Sequence, residues 1–348
     1  MTSGVITTPD IVANGGLTWI NLERPTRDIL EKEVASRGYL FHELNIEDCL
    51  SKSQVAKIDK HADYIFILFH FPSYAHIDKT GAAISTKKIR TRRRERHSNL
   101  LHFSQLSIFA GRNFVVTVHQ GDLQPLNDLF YQCKEKTDQK GELMGSTSGY
   151  LLHTIIDTLV DDLFHILMKI IGNLDDIEDA VFDDKSAVVK EISLLRREIV
   201  LLRRIVFPLK RIIAEVTNEI RKFSDEDLTQ YFNDVEDHIN KVLDLLESSR
   251  ETIEIYKDTD FMLSSEKTNR ILAVLTIWFT LSIPPVIVGT FYGMNINLPG
   301  GIELGAWTFL GTYTTLIIVL VVSAGFALAM YMYFLKVGWL TASIRVRK

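Results

Sequence analysis

This chain is poor in cysteine, and it carries no excess of positive charge. Cys49 and Cys133 are the only cysteines in 348 residues. Neither sits in a CxxC pair or at a Cys/His ligand spacing, so both read as reduced thiols, which suits a cytoplasmic body. The formal net charge is −5, which gives no reason to expect a nucleic-acid partner. Met1 to Asp10 lacks a basic segment followed by an apolar run, so no signal peptide is expected. No P-loop, HExxH, GxSxG or grouped Ser/His/Asp set occurs, so neither an enzyme nor an ATP site is expected. The most informative deficit is local. No charged side chain occurs from Ile271 to Tyr292, nor from Trp307 to Leu335.

Each of these runs exceeds the ~20 residues that a helix needs to cross the ~30 Å hydrocarbon core of a bilayer. A buried hairpin in a soluble protein is the alternative, but soluble core helices are rarely this long without one charge. The linker between the runs holds one ionisable side chain, Glu303, and has no Lys or Arg over 296–306. Lys267 and Arg270 precede the first run. Lys336, Arg345, Arg347 and Lys348 follow the second. This bias places both termini in the cytoplasm and the linker outside. The expected organisation is a cytoplasmic α/β domain over 1–146, a helical stalk over 147–270, spans over 271–292 and 307–335, an external loop over 293–306, and a basic tail over 336–348.

Within the body, Leu17–Leu22 alternates like a strand, and Asp28–Gly38 and Glu43–Leu50 read as short helices. Tyr64–Phe71 is rich in β-formers and stops before Pro72. Leu101–Phe109 and Asn113–His119 are strands around Ala110-Gly111-Arg112. Helices packed on a mixed sheet are expected. The basic run within 85–96 has no interleaved aromatics and reads as a solvated hairpin tip rather than an RNA contact. From Thr147 the pattern turns helical: Leu151–Ile171, an acidic face over Leu174–Asp184, and Ser186–Val216, which Pro208 should kink or break. A helix starting near Asp225 meets no breaker from Leu228 to Pro284 and would be close to ~100 Å long at ~1.5 Å per residue. A lone helix of that length needs neighbours. Two spans alone cannot enclose a polar path, so transport requires several copies around an axis.

Tyr292-Gly293-Met294-Asn295 ends the first run. Lys267-Thr268-Asn269-Arg270 precedes it and Pro284 lies within it. Tyr231-Phe232-Asn233-Asp234-Val235, Asp237-His238, Asp157 to Asp162 and Pro208-Leu209 lie upstream. Taken together, these segments resemble the CorA family of magnesium transporters over nearly the whole chain. The resemblance implies a funnel-shaped homopentamer. Its α+β cytoplasmic domain, a mixed sheet with helices, joins long helices and a two-helix transmembrane hairpin. It implies passive Mg2+ influx, with Co2+ and Ni2+ as possible substrates, and membrane lipid and divalent cations as partners. By resemblance Gly293, Met294 and Asn295 form the selectivity filter, and Asn269, Leu272, Leu275, Phe279, Ile283, Val286 and Thr290 line the pore. Asp48 would face Asp234 of a neighbouring protomer across a regulatory Mg2+, with Glu47, Asp157 and His238 around a second ion. Read alone, each of these carboxylates is a solvated charge.

The chemistry of that assignment is coherent. Mg2+ sheds water reluctantly, so neutral amide oxygens suit its hydrated form better than carboxylates, which would hold it. Rings of Leu272 and Leu275 can block a narrow pore by dewetting. Several positions depart from the family. Phe279 stands where a small residue is usual, Val286 replaces a Thr and Thr290 a Gly. The lysine cluster after the second span is thinned to Lys336, and the basic stretch 87–96 lengthens a hairpin that is short in the family. Two rivals share the sequence features: a Zn2+ transporter of the same fold, which usually carries Ile at the Met294 position, and a non-conducting membrane-anchored Mg2+ sensor.

Overall fold

The computed structural model describes residues 9–33, 38–51, 54–73, 102–135, 143–144, 147–182, 188–294, 309, 311 and 313–337. Asn295, Glu303, the basic run 87–96 and residues 338–348 lie outside the described residues. The chain divides into two compact units, Met1–Lys257 and Asp258–Lys348.

The first unit is built on a six-stranded sheet. Strands β1 (Asp10–Asn14) and β2 (Leu17–Glu23) form a hairpin. Gly15 and Gly16 turn it, both with positive φ (57° and 93°). A two-residue turn of that hand matches the twist of the flanking strands, and glycine adopts it without strain. Four more strands follow: β3 (Lys57–Lys60), β4 (Tyr64–Ser73), β5 (His102–Gly111) and β6 (Phe114–His119). Their order is β1-β2-β6-β5-β4-β3. Among the described strands only β2 and β6 pair in parallel.

Strand β4 runs through Pro72, where the sequence suggested an end, and Pro72 pairs with Phe103 of β5. On its other side β4 pairs with β3 only over Ile65–Leu68. Among the described residues Pro72 therefore has no strand neighbour on that side, and a missing N–H facing it costs no ladder bond. The expected helix over 28–38 is, in its described part, a π-helical turn at Ile29–Glu33.

Alternation along the strands gives the sheet two faces. One carries Ile20, Leu22, Phe66, Leu68, Phe109, Val116 and Val118, covered by Leu30 and by Ile46 and Cys49 of α1 (Glu43–Leu50). Phe41 stacks on Phe109 at 3.9 Å between ring centroids. The other face carries Trp19, whose ring meets the edge of Phe130 on α2 (Gln124–Glu135) at 4.9 Å. A buried polar chain runs along this face. Trp19 Nε1 donates to Thr117 Oγ1 (3.1 Å), and Thr117 Oγ1 donates to Asn21 Oδ1 (2.7 Å). His119 Nδ1 accepts from the Gly121 N–H (3.0 Å), which leaves the proton on Nε2 to reach Asn21 Oδ1 (3.0 Å). Burial raises the thiol of Cys49 to about 12 and that of Cys133 to about 11. Both cysteines are free, and protonated thiols of this kind are poor nucleophiles.

Three long helices complete the unit: α3 (Ser148–Phe182), α4 (Val189–Glu219) and the first part of α5 (Thr229–Gly293). Their buried positions step by three and four. On α4 the seam runs through Ile192, Leu195, Ile199, Leu202, Val206, Leu209, Ile213 and Val216, with Ile205 and Ile212 buried beside it. On α5 it runs through Phe232, Val235, Ile239, Val242, Leu246, Ser249 and Ile253. This is the spacing of a coiled-coil seam. Cross-contacts set the directions. Arg196 meets Glu254 and Arg203 meets Glu247, so α4 and α5 run antiparallel. His153 packs on Phe232, Asp161 faces His238 and Glu178 accepts from Tyr256, so α3 and α5 run parallel. Helix α4 continues through Pro208 without a break. The proline costs the bond to the Arg204 carbonyl, but Ile205, Val206, Leu209 and Ile212 are buried around it and hold the helix together. Gly172 and Asn173 likewise leave α3 unbroken, where two separate helical stretches were read in the sequence.

The second unit holds the remainder of α5 and a final helix, α6 (Thr314–Val337). Both are long and apolar enough to cross a membrane. Their side chains are exposed rather than packed: Trp278 and Phe279 are each 71% exposed. An aqueous surface of that kind would cost far more than the scattered apolar exposure of soluble proteins, and lipid removes the cost. Before α6, Gly311 takes a left-handed φ of 99°. Its carbonyl accepts from the Thr314 hydroxyl (2.6 Å) and marks the helix start.

Candidate metal centre and membrane helices

On α3, Asp157 and Asp161 are one turn apart. On α5, Asp234 and His238 are one turn apart. Because α3 and α5 run parallel, the two pairs face each other. Asp157, Asp161 and His238 offer ligand atoms that all lie within 4.8 Å of one another. His238 Nδ1 is 3.5 Å from Asp161 Oδ1, and Nε2 is 4.0 Å from Asp234 Oδ2. Neither distance is a hydrogen bond. Among the described residues His238 Nδ1 is a buried atom without a hydrogen-bond partner. The Phe164 ring stands edge-on to the imidazole at 5.7 Å.

The electrostatics follow from crowding. Burial raises the Asp157 pKa, and the Asp161 carboxylate adds to the rise, while His153 and His238 oppose it. Burial lowers the pKa of His153, one turn before Asp157, despite the pull of the Asp157 carboxylate. The site therefore gathers a half-buried carboxylate, two exposed ones and an imidazole nitrogen that has no hydrogen-bond partner among the described residues. Two carboxylates and an imidazole suit a divalent cation of the first transition row by direct ligation. Mg2+ prefers all-oxygen surroundings at about 2.0–2.1 Å and keeps several waters, so these side chains would supply only part of its coordination. The residues present thus fit a partly hydrated divalent ion.

The sequence expectations divide over this geometry. Asp157 and His238 come together, with Asp234 adjoining. Asp161 joins them although it was not singled out; the matching i, i+4 spacing of Asp157–Asp161 and Asp234–His238 is the signal that marks it. Asp48 and Glu47, on α1, are not members of the group. Glu47 is exposed. Asp48 is buried, and its carboxylate contacts Lys57 Nζ at 2.7 Å.

Along α5, Asn269, Leu272, Leu275, Phe279, Ile283, Val286, Thr290 and Gly293 are all exposed. They recur every three or four residues, so they share one broad stripe of the helix. Thr276, Thr280 and Thr290 turn their hydroxyls back to the carbonyls of Leu272, Thr276 and Val286, at 2.7–2.8 Å. That satisfies each hydroxyl within its own helix. At the end of α5 the Met294 N–H turns in to the Phe291 carbonyl at 3.3 Å. A Cβ placed on Gly289 or Gly293 would meet nothing within 4 Å.

Comparison with known proteins agrees with this architecture. A family model described as "CorA-like Mg2+ transporter protein" matches residues 14–336. The chain is 26% identical over 326 residues to the cobalt/magnesium transport protein CorA of Thermotoga maritima, covering 93% of this chain and 83% of that protein. It is 25% identical to the putative metal ion transporter YfjQ of Bacillus subtilis, covering 92% and 89%. The complete structure of the CorA magnesium transporter from Methanocaldococcus jannaschii superposes with a TM-score of 0.74 at 17% identity, over 95% of this chain and 94% of that one. With the family model spanning nearly the whole chain, from the sheet to the end of the second apolar helix, this protein belongs to the CorA-like family of divalent-cation membrane transporters, which are not enzymes.

Proposed function

We propose that this chain is the protomer of a homopentameric channel that admits Mg2+ to the cytoplasm down its electrochemical gradient and closes when cytosolic Mg2+ is high. The observation that carries the reading is α5 itself. One helix bears Asp234 and His238 of the candidate metal centre near its start, an exposed apolar stripe in its second half, and Gly293-Met294 at its end. A sensor and a conduction path on one continuous element need no separate transmission device.

In this reading five copies place the stripe from Asn269 to Gly293 on a common axis. Asn295 follows at the outer mouth, where its amide oxygen would accept from the water shell of the ion. The open space beside Gly289 and Gly293 leaves room for close approach of neighbouring helices. Leu272 and Leu275 would form the dewetted constriction, and Phe279 and Val286 would make the midsection drier than an all-polar path. An inside-negative potential pulls a divalent ion inward with about 4.6 kcal/mol per 100 mV. The Lys and Arg flanking the spans put both termini inside. Cytosolic Mg2+ at Asp157, Asp161 and His238 would screen the crowded carboxylates and hold α5 against α3, favouring the closed state. Co2+ and Ni2+ suit the same donors.

The test is divalent uptake into liposomes under an inside-negative potential, with Asn295→Ala alongside. Mg2+ entry that disappears in the variant supports a channel filtered by Gly293-Met294-Asn295. Entry of Zn2+ without Mg2+ would assign the chain to zinc, and no flux of either from folded oligomeric protein would refute a conducting role.

A further inference from the structure

Lys57 opens the edge strand β3, and its ammonium is held between two carboxylates. Nζ lies 2.7 Å from Asp48 Oδ2 and 2.6 Å from Asp59 Oδ2. Asp48 comes from α1, whereas Asp59 is two residues along the same strand and so on the same face. The Asp48 side chain is only 12% exposed, and those of Lys57 and Asp59 are 35% and 34% exposed. The Asp48 carbonyl also accepts from Gln105 Nε2 at 2.8 Å, which pins this turn of α1 to the sheet. Burial alone would lower the Lys57 pKa, but its hydrogen bonds to Asp48 and Asp59 outweigh that and raise it. The ammonium is a permanent resident at neutral pH.

We propose that Lys57 is a built-in cation at Asp48, occupying the place a divalent ion would otherwise take and leaving cation sensing to the Asp157–Asp161–His238 group. The regulatory meaning of this assignment rests on the transport reading above; its chemistry does not. Two carboxylates and one ammonium leave a net charge of about −1, half the attraction the bare pair would exert on a divalent ion. An entering ion must also expel Nζ and break two charge-assisted hydrogen bonds, or bind beside a like charge. The other group is different. The charged side chains that act most strongly on Asp157 are Asp161, His153, His238 and Asp234, and the ammonium of Lys241 lies over the Phe164 ring rather than in an ion pair with these carboxylates. Its field therefore remains open to a cation from solution. Of the two cytoplasmic positions that the family resemblance suggests for Mg2+, this chain has answered one internally. Its transport should consequently respond to Mg2+ through fewer ions per protomer.

The experiment is calorimetric titration of the full-length protein in nanodiscs with MgCl2, comparing wild type, Lys57→Met, Asp48→Asn and the double variant. Lys57→Met keeps the side-chain length and removes the charge. It should add an Mg2+-binding step, or tighten the existing isotherm about tenfold, and the double variant should lose that gain. Asp48→Asn with Lys57 intact should bind the wild-type number of ions per protomer. The proposal is overturned if Lys57→Met titrates as wild type, or if Asp48→Asn alone already removes a binding step. Should Lys57→Met fail to fold, Lys57→Gln and the Asp48→Asn titration still decide it. Loss of Mg2+ uptake in liposomes would remove the transport reading while leaving the isotherms, and hence the assignment of Lys57, intact.

Discussion

His119 gives the cytoplasmic unit a defined response to acid. Its imidazole is 1% exposed, with Nδ1 accepting from Gly121 N–H and Nε2 directed at Asn21 Oδ1. Burial depresses its pKa to about 4 from an ordinary value of 6.5. Protonation would also aim an N–H at the Gly121 N–H, turning a hydrogen bond into a clash of donors. Between pH 6.5 and 4 the unfolded chain holds a proton at this position and the native chain does not, so native stability falls as pH falls through that window. Above pH 6.5 the contribution is fully present, and below pH 4 there is nothing further to lose. At about 1.4 kcal/mol per pKa unit, the whole effect is about 3 kcal/mol. Other groups titrate over the same range, so the informative quantity is the difference between wild type and His119→Gln. The variant should be less stable at pH 7.5, because Asn21 and Gly121 lose a fitted partner. Its stability should then decline less steeply with acid, by up to one proton's worth of slope. Thermal unfolding of the full chain in detergent from pH 7.5 to 4.5 measures both. Parallel curves for the two proteins, or an imidazole resonance titrating near 6.5 in the folded protein, would refute the reasoning.

Two substitutions probe packing elsewhere in the cytoplasmic unit. A Cβ on Gly111 would sit 2.3 Å from the Phe114 ring and 2.9 Å from the Asp63 carbonyl, so Gly111→Ala should destabilise by about 1–3 kcal/mol; an unchanged melting temperature would show that the turn yields freely. Phe232 is fully buried where α5 meets His153 of α3. Phe232→Ala should cost about 3–5 kcal/mol and weaken Mg2+ binding at the adjacent carboxylates, read by the same titrations; full Mg2+ affinity in a destabilised variant would separate the site from its support.

Much of this architecture is legible in the sequence because long patterns average over local error. The two charge-free runs, and the absence of a breaker from Leu228 to Pro284, specify α5 and α6 without reference to any neighbour. Prolines were less readable. Pro72 and Pro208 are local stop signals, but whether they stop anything depends on the ladder partner of β4 ending at Leu68 and on the core around α4. Strands β1 and β3 are too short to show a period. Among the candidate site residues, Asp157 and His238 are suggested by resemblance, whereas Asp161 emerges only from the parallel placement of α3 and α5. The ion pair of Asp48 with Lys57 was not visible, since eight residues of intervening chain say nothing about which face of β3 meets α1.

The sheet ends in its two shortest strands, Asp10–Asn14 and Lys57–Lys60. A free strand edge is a template on which any other extended chain can add, and a chain delivered to a membrane spends time partly folded beside its own copies. Here one edge begins with Asp10, paired to Lys134, and the other carries lysine at both ends, Lys57 held by two carboxylates and Lys60 by Glu219 at 3.1 Å. An incoming strand at β3 would have to strip those charges of their partners before making its first backbone bond. The ion pairs at the rim thus also act as guards against fibrous assembly through this edge of the sheet.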